Sequence, residues 1–154
     1  MSASGTPNLS TGLLPWLFGL YAAATLLHFA HNAEYLAQYP NLPSSWSRSE
    51  VYASWCCVMV LGLLGYGLYA LRHRSLGLTI LGLYAALGFG GLLHYTRAPM
   101  HEHSAMMSLT ILTEAAMGSL LLANVALLAG IASVSTIPRR RRHMVVRCMR
   151  GPAA

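Results

Sequence analysis

Four long apolar stretches alternate with short polar connections along the chain, and each stretch is long enough to cross a membrane as a helix. The first runs from about Leu13 to His31, with Pro15 in its opening turn, where a missing N–H goes unnoticed. The second runs from about Val51 to Leu71. It follows Tyr39-Pro40-Asn41-Leu42-Pro43-Ser44-Ser45, whose prolines and serines stop a helix, and Ser49 and Glu50 are placed to cap the new one. The third, Ser75 to His94, follows the polar turn Arg72-His73-Arg74, and the fourth, about Ala105 to Ile131, follows Thr96-Arg97-Ala98-Pro99. Connections this short join antiparallel neighbours. The pattern therefore predicts an all-α fold, an integral membrane antiparallel four-helix bundle.

Composition agrees. Hydrophobic residues make up 55% of the 154 and charged residues only 9%, too few to keep a soluble domain of this size dispersed. The expected organisation is a flexible N-terminus over 1–12, a four-span transmembrane domain over 13–137 and a basic tail over 138–154. Met1 to Gly12 lacks a basic n-region, so no cleavable signal peptide is expected.

Charge placement adds sidedness. The chain has no lysine and no aspartate, and eight of its ten arginines lie in the second connection (Arg72, Arg74) or the tail (Arg139 to Arg142, Arg147, Arg150). The positive-inside rule puts those segments and both termini in the cytoplasm, and the first and third connections outside. The net charge of +6 belongs to the tail, which reads as an orientation and anionic-lipid signal and not as a nucleic-acid surface. The compact, arginine- and alanine-rich chain suggests a multi-pass protein of the bacterial inner membrane. Cys56, Cys57 and Cys148 form no disulfide framework, and the adjacent pair reads as small buried residues of the second span.

All four carboxylates and five of the seven histidines fall at the opposite, outer face. His28, His31 and Tyr35 follow one another at helical spacing, with Glu34 one turn above His31. On the fourth span His103, Met107, Thr110, Glu114, Met117 and Gly118 form a second stripe. Glu114 stands about 13 Å along the axis from Ala105 at 1.5 Å per residue, inside the hydrocarbon region. A carboxylate at that depth costs roughly 2.5–3.5 kcal/mol unless neutral, paired or metal-bound. Gly88, Gly90 and Gly91 strip side chains from the outer half of the third span, leaving room for a close helix or a bound molecule. Tyr35, Tyr95, Trp46 and Trp55 read as an interfacial aromatic belt, and Met106, Met107 and Met117 as packing.

Imidazole with carboxylate suits Zn, Fe or Mn, and the Met/His-rich Met100-His101-Glu102-His103 followed by Met106-Met107 would also suit Cu(I), so a transition metal, Zn, Fe or Cu, is expected. The expected inner ligands are His28, His31, His94 and Glu114, with Glu34, His101 and His103 as outer ligands or their supports. His28 and His94 also reach comparable depth from two spans and could hold haem between them. No His-Glu-x-x-His run and no paired Glu-x-x-His motif is present, so the ligand set rests on placement alone. Three functional classes follow. The first is a metal-binding membrane protein, an oxidoreductase or a subunit of one. The second is a cofactorless lipid-modifying or lipid-binding protein in which a lipid enters laterally and Glu114 works with a histidine as an acid–base pair. The third is an accessory or assembly subunit of a larger membrane complex. Expected partners are membrane lipids, a larger complex or a second copy, and not nucleic acid.

Overall fold

The computed structural model describes residues 9–43 and 45–135. The basic tail, with Arg139 to Arg142, Arg147, Arg150 and Cys148, lies outside the described residues, as does the start of the N-terminal segment. Among the described residues every regular element is helical: α1 (Leu9–Glu34), α2 (Arg48–Ala70), α3 (Arg74–Ala86), α4 (His94–Arg97) and α5 (Ala105–Ser135). A 3-10 stretch, Leu87–Leu93, joins α3 to α4 without a break in the chain's course, and short 3-10 turns occupy Leu36–Gln38 and Met100–Glu102. Four helical segments, Thr11–Glu34, Arg48–Ala70, Arg74–Arg97 and Ala105–Ser133, are long and apolar enough to cross a membrane.

Three local expectations change. Helix α1 already includes Leu9 to Gly12, because no proline falls between Pro7 and Pro15. Helix α2 is capped by Ser47 rather than Ser49. The Ser47 hydroxyl accepts from the Glu50 N–H at 3.3 Å while the Ser47 N–H donates to Glu50 Oε2 at 2.7 Å, and this reciprocal box needs the serine three residues before the glutamate. The third span tightens into 3-10 geometry where Gly88, Gly90 and Gly91 give the α-helix little support.

Helix α2 ends at a sharp reversal. Arg72 has φ 74°, its N–H bonds to the Tyr69 carbonyl at 3.2 Å, and the His73 N–H bonds to the Leu68 carbonyl at 3.0 Å. This is the Schellman arrangement, with arginine in the left-handed position that glycine normally fills.

Glycines then bring the helices into contact. A Cβ on Gly62 would stand 2.8 Å from the Tyr84 ring, one on Gly65 2.9 Å from the Leu81 N, and one on Gly77 2.5 Å from the Tyr69 N. The contact points fall along α3 as they rise along α2. Gly88 and Gly118 make room for Tyr21, whose ring a Cβ would meet at 2.9 and 3.3 Å. Tyr21 and Tyr84 are fully buried, with ring centroids 4.8 Å apart, and the Tyr21 hydroxyl donates to the Tyr84 carbonyl at 3.0 Å. With Leu14, Leu81 and Leu121 they form the hydrophobic core of the bundle.

Candidate functional site

Beside that core Glu114 on α5 faces His28 on α1. Glu114 Oε2 lies 3.8 Å from His28 Nε2, and both side chains are almost completely buried. The space for this pair comes from Gly91, where a Cβ would sit 3.1 Å from Glu114 Oε2 and 3.6 Å from His28 Nε2.

His94 extends the polar contacts outward. Its ring meets that of His28 at 5.6 Å between centroids, edge to face, and that of Tyr39 at 4.9 Å. Asn32, one turn beyond His28 on α1, places Nδ2 3.4 Å from His94 Nε2. His103, buried at the entrance to α5, packs its ring 6.3 Å from His94 and donates from Nδ1 to the Pro99 carbonyl at 3.1 Å. Tyr39 arrives from the first connection, buried, with its hydroxyl 2.9 Å from His31 Nδ1. Burial pushes the Tyr39 phenol up to about 12.

Beside this group lies a cavity of about 350 Å³. His28, Asn32, His94 and Glu114 supply its polar wall, Phe29, Val51, Val58, Leu87 and Leu93 its apolar wall, and Trp46 and Arg97 also border it. Three buried polar atoms on that wall have no hydrogen-bond partner: Glu114 Oε2, His28 Nδ1 and Asn32 Oδ1. His103 Nε2 and the Tyr95 hydroxyl nearby are also without one.

The seven expected ligands do not assemble as a set. His28, His94 and Glu114 border the cavity and His103 touches His94. His31 is held by Tyr39 and is absent from the cavity wall. Glu34 is turned aside, accepting from the Tyr52 hydroxyl at 2.8 Å and pairing with Arg48, because an arginine at the start of α2 offers it a counter-ion in solvent reach. His101 is exposed in the Met100–Glu102 turn, whose 3-10 geometry points it away from its buried neighbour His103. Among the described residues no group of three or more histidine, cysteine, aspartate or glutamate side chains is arranged to hold a metal ion.

Other expectations also shift. Cys56 and Cys57 are exposed, since α2 meets the rest of the fold along the face that carries Val51, Gly62 and Gly65. Trp55 turns inward and donates to Thr25 Oγ1 at 3.4 Å, leaving the aromatic belt. Two site residues were missed. Asn32 was within reach of the helical pattern, four residues after His28; Tyr39 was not, since only the folding back of its loop brings it to His94. The chain matches no family model, no curated protein and no solved structure.

Proposed function

We propose that the chain is an integral membrane protein, an antiparallel bundle of four spans with both termini cytoplasmic, whose outer-half cavity binds a membrane-soluble amphiphile. Glu114 and His28 form the acid–base pair facing its polar head. The carrying observation is Glu114 Oε2, a buried carboxyl oxygen with no partner on the wall of an otherwise largely apolar cavity. A volume of about 350 Å³ falls in the range of small-molecule sites, which combine an apolar lining with a few convergent polar groups. Proton transfer needs two groups within reach of the substrate and of each other, and the 3.8 Å pair supplies them. The arginine distribution and short connections suit the bacterial inner membrane.

Lipid analysis of the detergent-purified protein tests this reading. Gly90 borders the cavity, and a Cβ there meets nothing within 4 Å, so Gly90→Leu adds bulk at the edge of the cavity with no clash at its Cβ. Wild type should retain an amphiphile at near one per chain, insensitive to chelators, and Gly90→Leu should lose it. Equal, detergent-level lipid in both proteins would sink the proposal.

A second reading, a Zn, Fe or Cu site in an oxidoreductase or a subunit of one, is favoured by three partnerless ligand-type atoms, His28 Nδ1, His103 Nε2 and Glu114 Oε2. Side-chain rotation would have to bring them to one point. Haem fits less well, because the His28 and His94 rings already touch and leave no slot for a macrocycle between them. Multi-element analysis with an absorption spectrum decides: metal near one per chain that His28→Ala removes would replace the lipid reading with this one.

A further inference from the structure

We infer that the amphiphile is a single-chain lipid with a neutral hydroxyl head, bound by Glu114 and Asn32, its chain leaving between α2 and the Leu87–Leu93 stretch. The inference rests on the pocket reading above and adds the chemistry of its ligand. It begins with what the wall lacks. Asn32 Oδ1 is an acceptor, and so is Glu114 Oε2 when His28 holds the proton of the pair; both are buried and without a donor. An unmatched buried acceptor is unfavourable, so the complementary ligand carries a hydrogen-bond donor. No protein donor reaches either atom: the Ser54 hydroxyl is already donated to the Glu50 carbonyl, and Arg97 and Trp46, which also border the cavity, are exposed.

Charge then narrows the donor. One proton shared between His28 and Glu114 leaves the pair neutral whichever partner holds it, and the remaining charged side chain that borders the cavity, Arg97, is an exposed cation that offers a cationic donor no counter-charge. An imported ion would have to give up its hydration with nothing to replace it. A hydroxyl donates without that penalty, and its oxygen accepts from His28 Nδ1, which carries a proton in the same form of the pair that leaves Glu114 Oε2 an acceptor.

Size fixes the rest. At ~30 Å³ per water-sized volume the cavity holds about a dozen such volumes, room for a head and a short run of one chain with no second chain beside it. The remainder of the chain must leave. Leu87 and Leu93 border the cavity while 46% and 62% exposed, so that side of the wall opens toward the surrounding apolar phase.

Trp46 borders the cavity and reports on its occupant. With Trp16→Phe and Trp55→Phe it becomes the sole tryptophan, and a chain-brominated long-chain alcohol should quench it saturably, with the unbrominated alcohol restoring the signal. The brominated methyl ether of the same chain, which cannot donate, should bind at least about tenfold more weakly, the loss of one hydrogen bond. In Glu114→Leu the alcohol and the ether should become equivalent. Equal saturable binding of alcohol and ether to the parent protein would overturn the hydroxyl head while leaving the pocket reading intact. Tighter binding of the matching alkylamine would overturn it in favour of a cationic head. No saturable quenching by any probe would remove both the inference and the pocket reading on which it rests.

Discussion

Gly91 and Glu114 meet so closely that a single methyl group on the glycine would lie 3.1 Å from the carboxyl oxygen. The absent side chain is what allows a carboxyl group to be buried on α5 beside His28 without a hydrogen bond to either Oε2 or His28 Nδ1. A group kept in that state for packing alone would ordinarily have found a partner.

That distinction predicts the behaviour of Glu114→Leu. If the carboxyl group serves a ligand, its removal relieves a buried unsatisfied polar atom, and the variant should be as stable as wild type or more stable by about 1–3 kcal/mol. Thermal unfolding in detergent, followed by circular dichroism, measures this. A drop of several kcal/mol would make Glu114 a structural tie instead.

The α2–α3 contact predicts a sharp contrast between two glycines on either side of one turn. Gly77→Ala places a methyl 2.5 Å from the Tyr69 N, and backbone cannot step aside as a side chain can, so the helices must part at a cost of about 3 kcal/mol or more. Gly67→Ala meets nothing within 4 Å and should gain up to about 1 kcal/mol from helix propensity. Expression yield and unfolding midpoint of the two variants, measured side by side, check the pair; equal effects would refute the close approach.

At the end of α2 the left-handed Arg72 predicts that Arg72→Gly stabilises the fold by about 1 kcal/mol, since glycine adopts φ 74° without the Cβ strain that arginine carries. The same unfolding assay reads it out. A destabilised variant would show that the Arg72 side chain contributes more than its backbone costs.

Tyr39 predicts an alkaline limit. Its folded phenol is raised from 10.0 to about 12, so the folded state holds the proton more tightly than the unfolded chain. The resulting stability is complete below pH 10 and is lost as pH climbs toward 12, up to ~3 kcal/mol in all. Tyr39→Phe should therefore lose less stability than wild type between pH 10 and 12. Parallel pH profiles for the two proteins would contradict the burial-driven shift.

Much of this architecture is legible in the sequence. The number and approximate limits of the four long apolar helices follow from apolar runs bounded by proline, serine and arginine, each long enough for a ~30 Å hydrocarbon layer. Glu114 stood out for the same reason: a carboxylate about 13 Å from the helix start is anomalous in any apolar helix. Gly88, Gly90 and Gly91 also carried both of their meanings, since Gly88 admits Tyr21 and Gly90 borders open space.

What spacing could not supply was which polar groups share a point in space. Glu34 and His31 sit on the same helix as His28, yet Arg48 and Tyr52 claim the first and Tyr39 the second, through contacts 8 to 18 residues apart in the chain or made across helices. His101 and His103 differ by two residues and end exposed and buried, because one 3-10 turn separates their directions. The sequence by itself determined how many helices there are, how long they run and which end is polar, since those depend on local hydropathy and turn chemistry. Only the tertiary structure decided that His28, Asn32, His94 and Glu114 surround one cavity, because that convergence depends on glycines in α2, α3 and the Leu87–Leu93 stretch setting how closely each helix approaches the next.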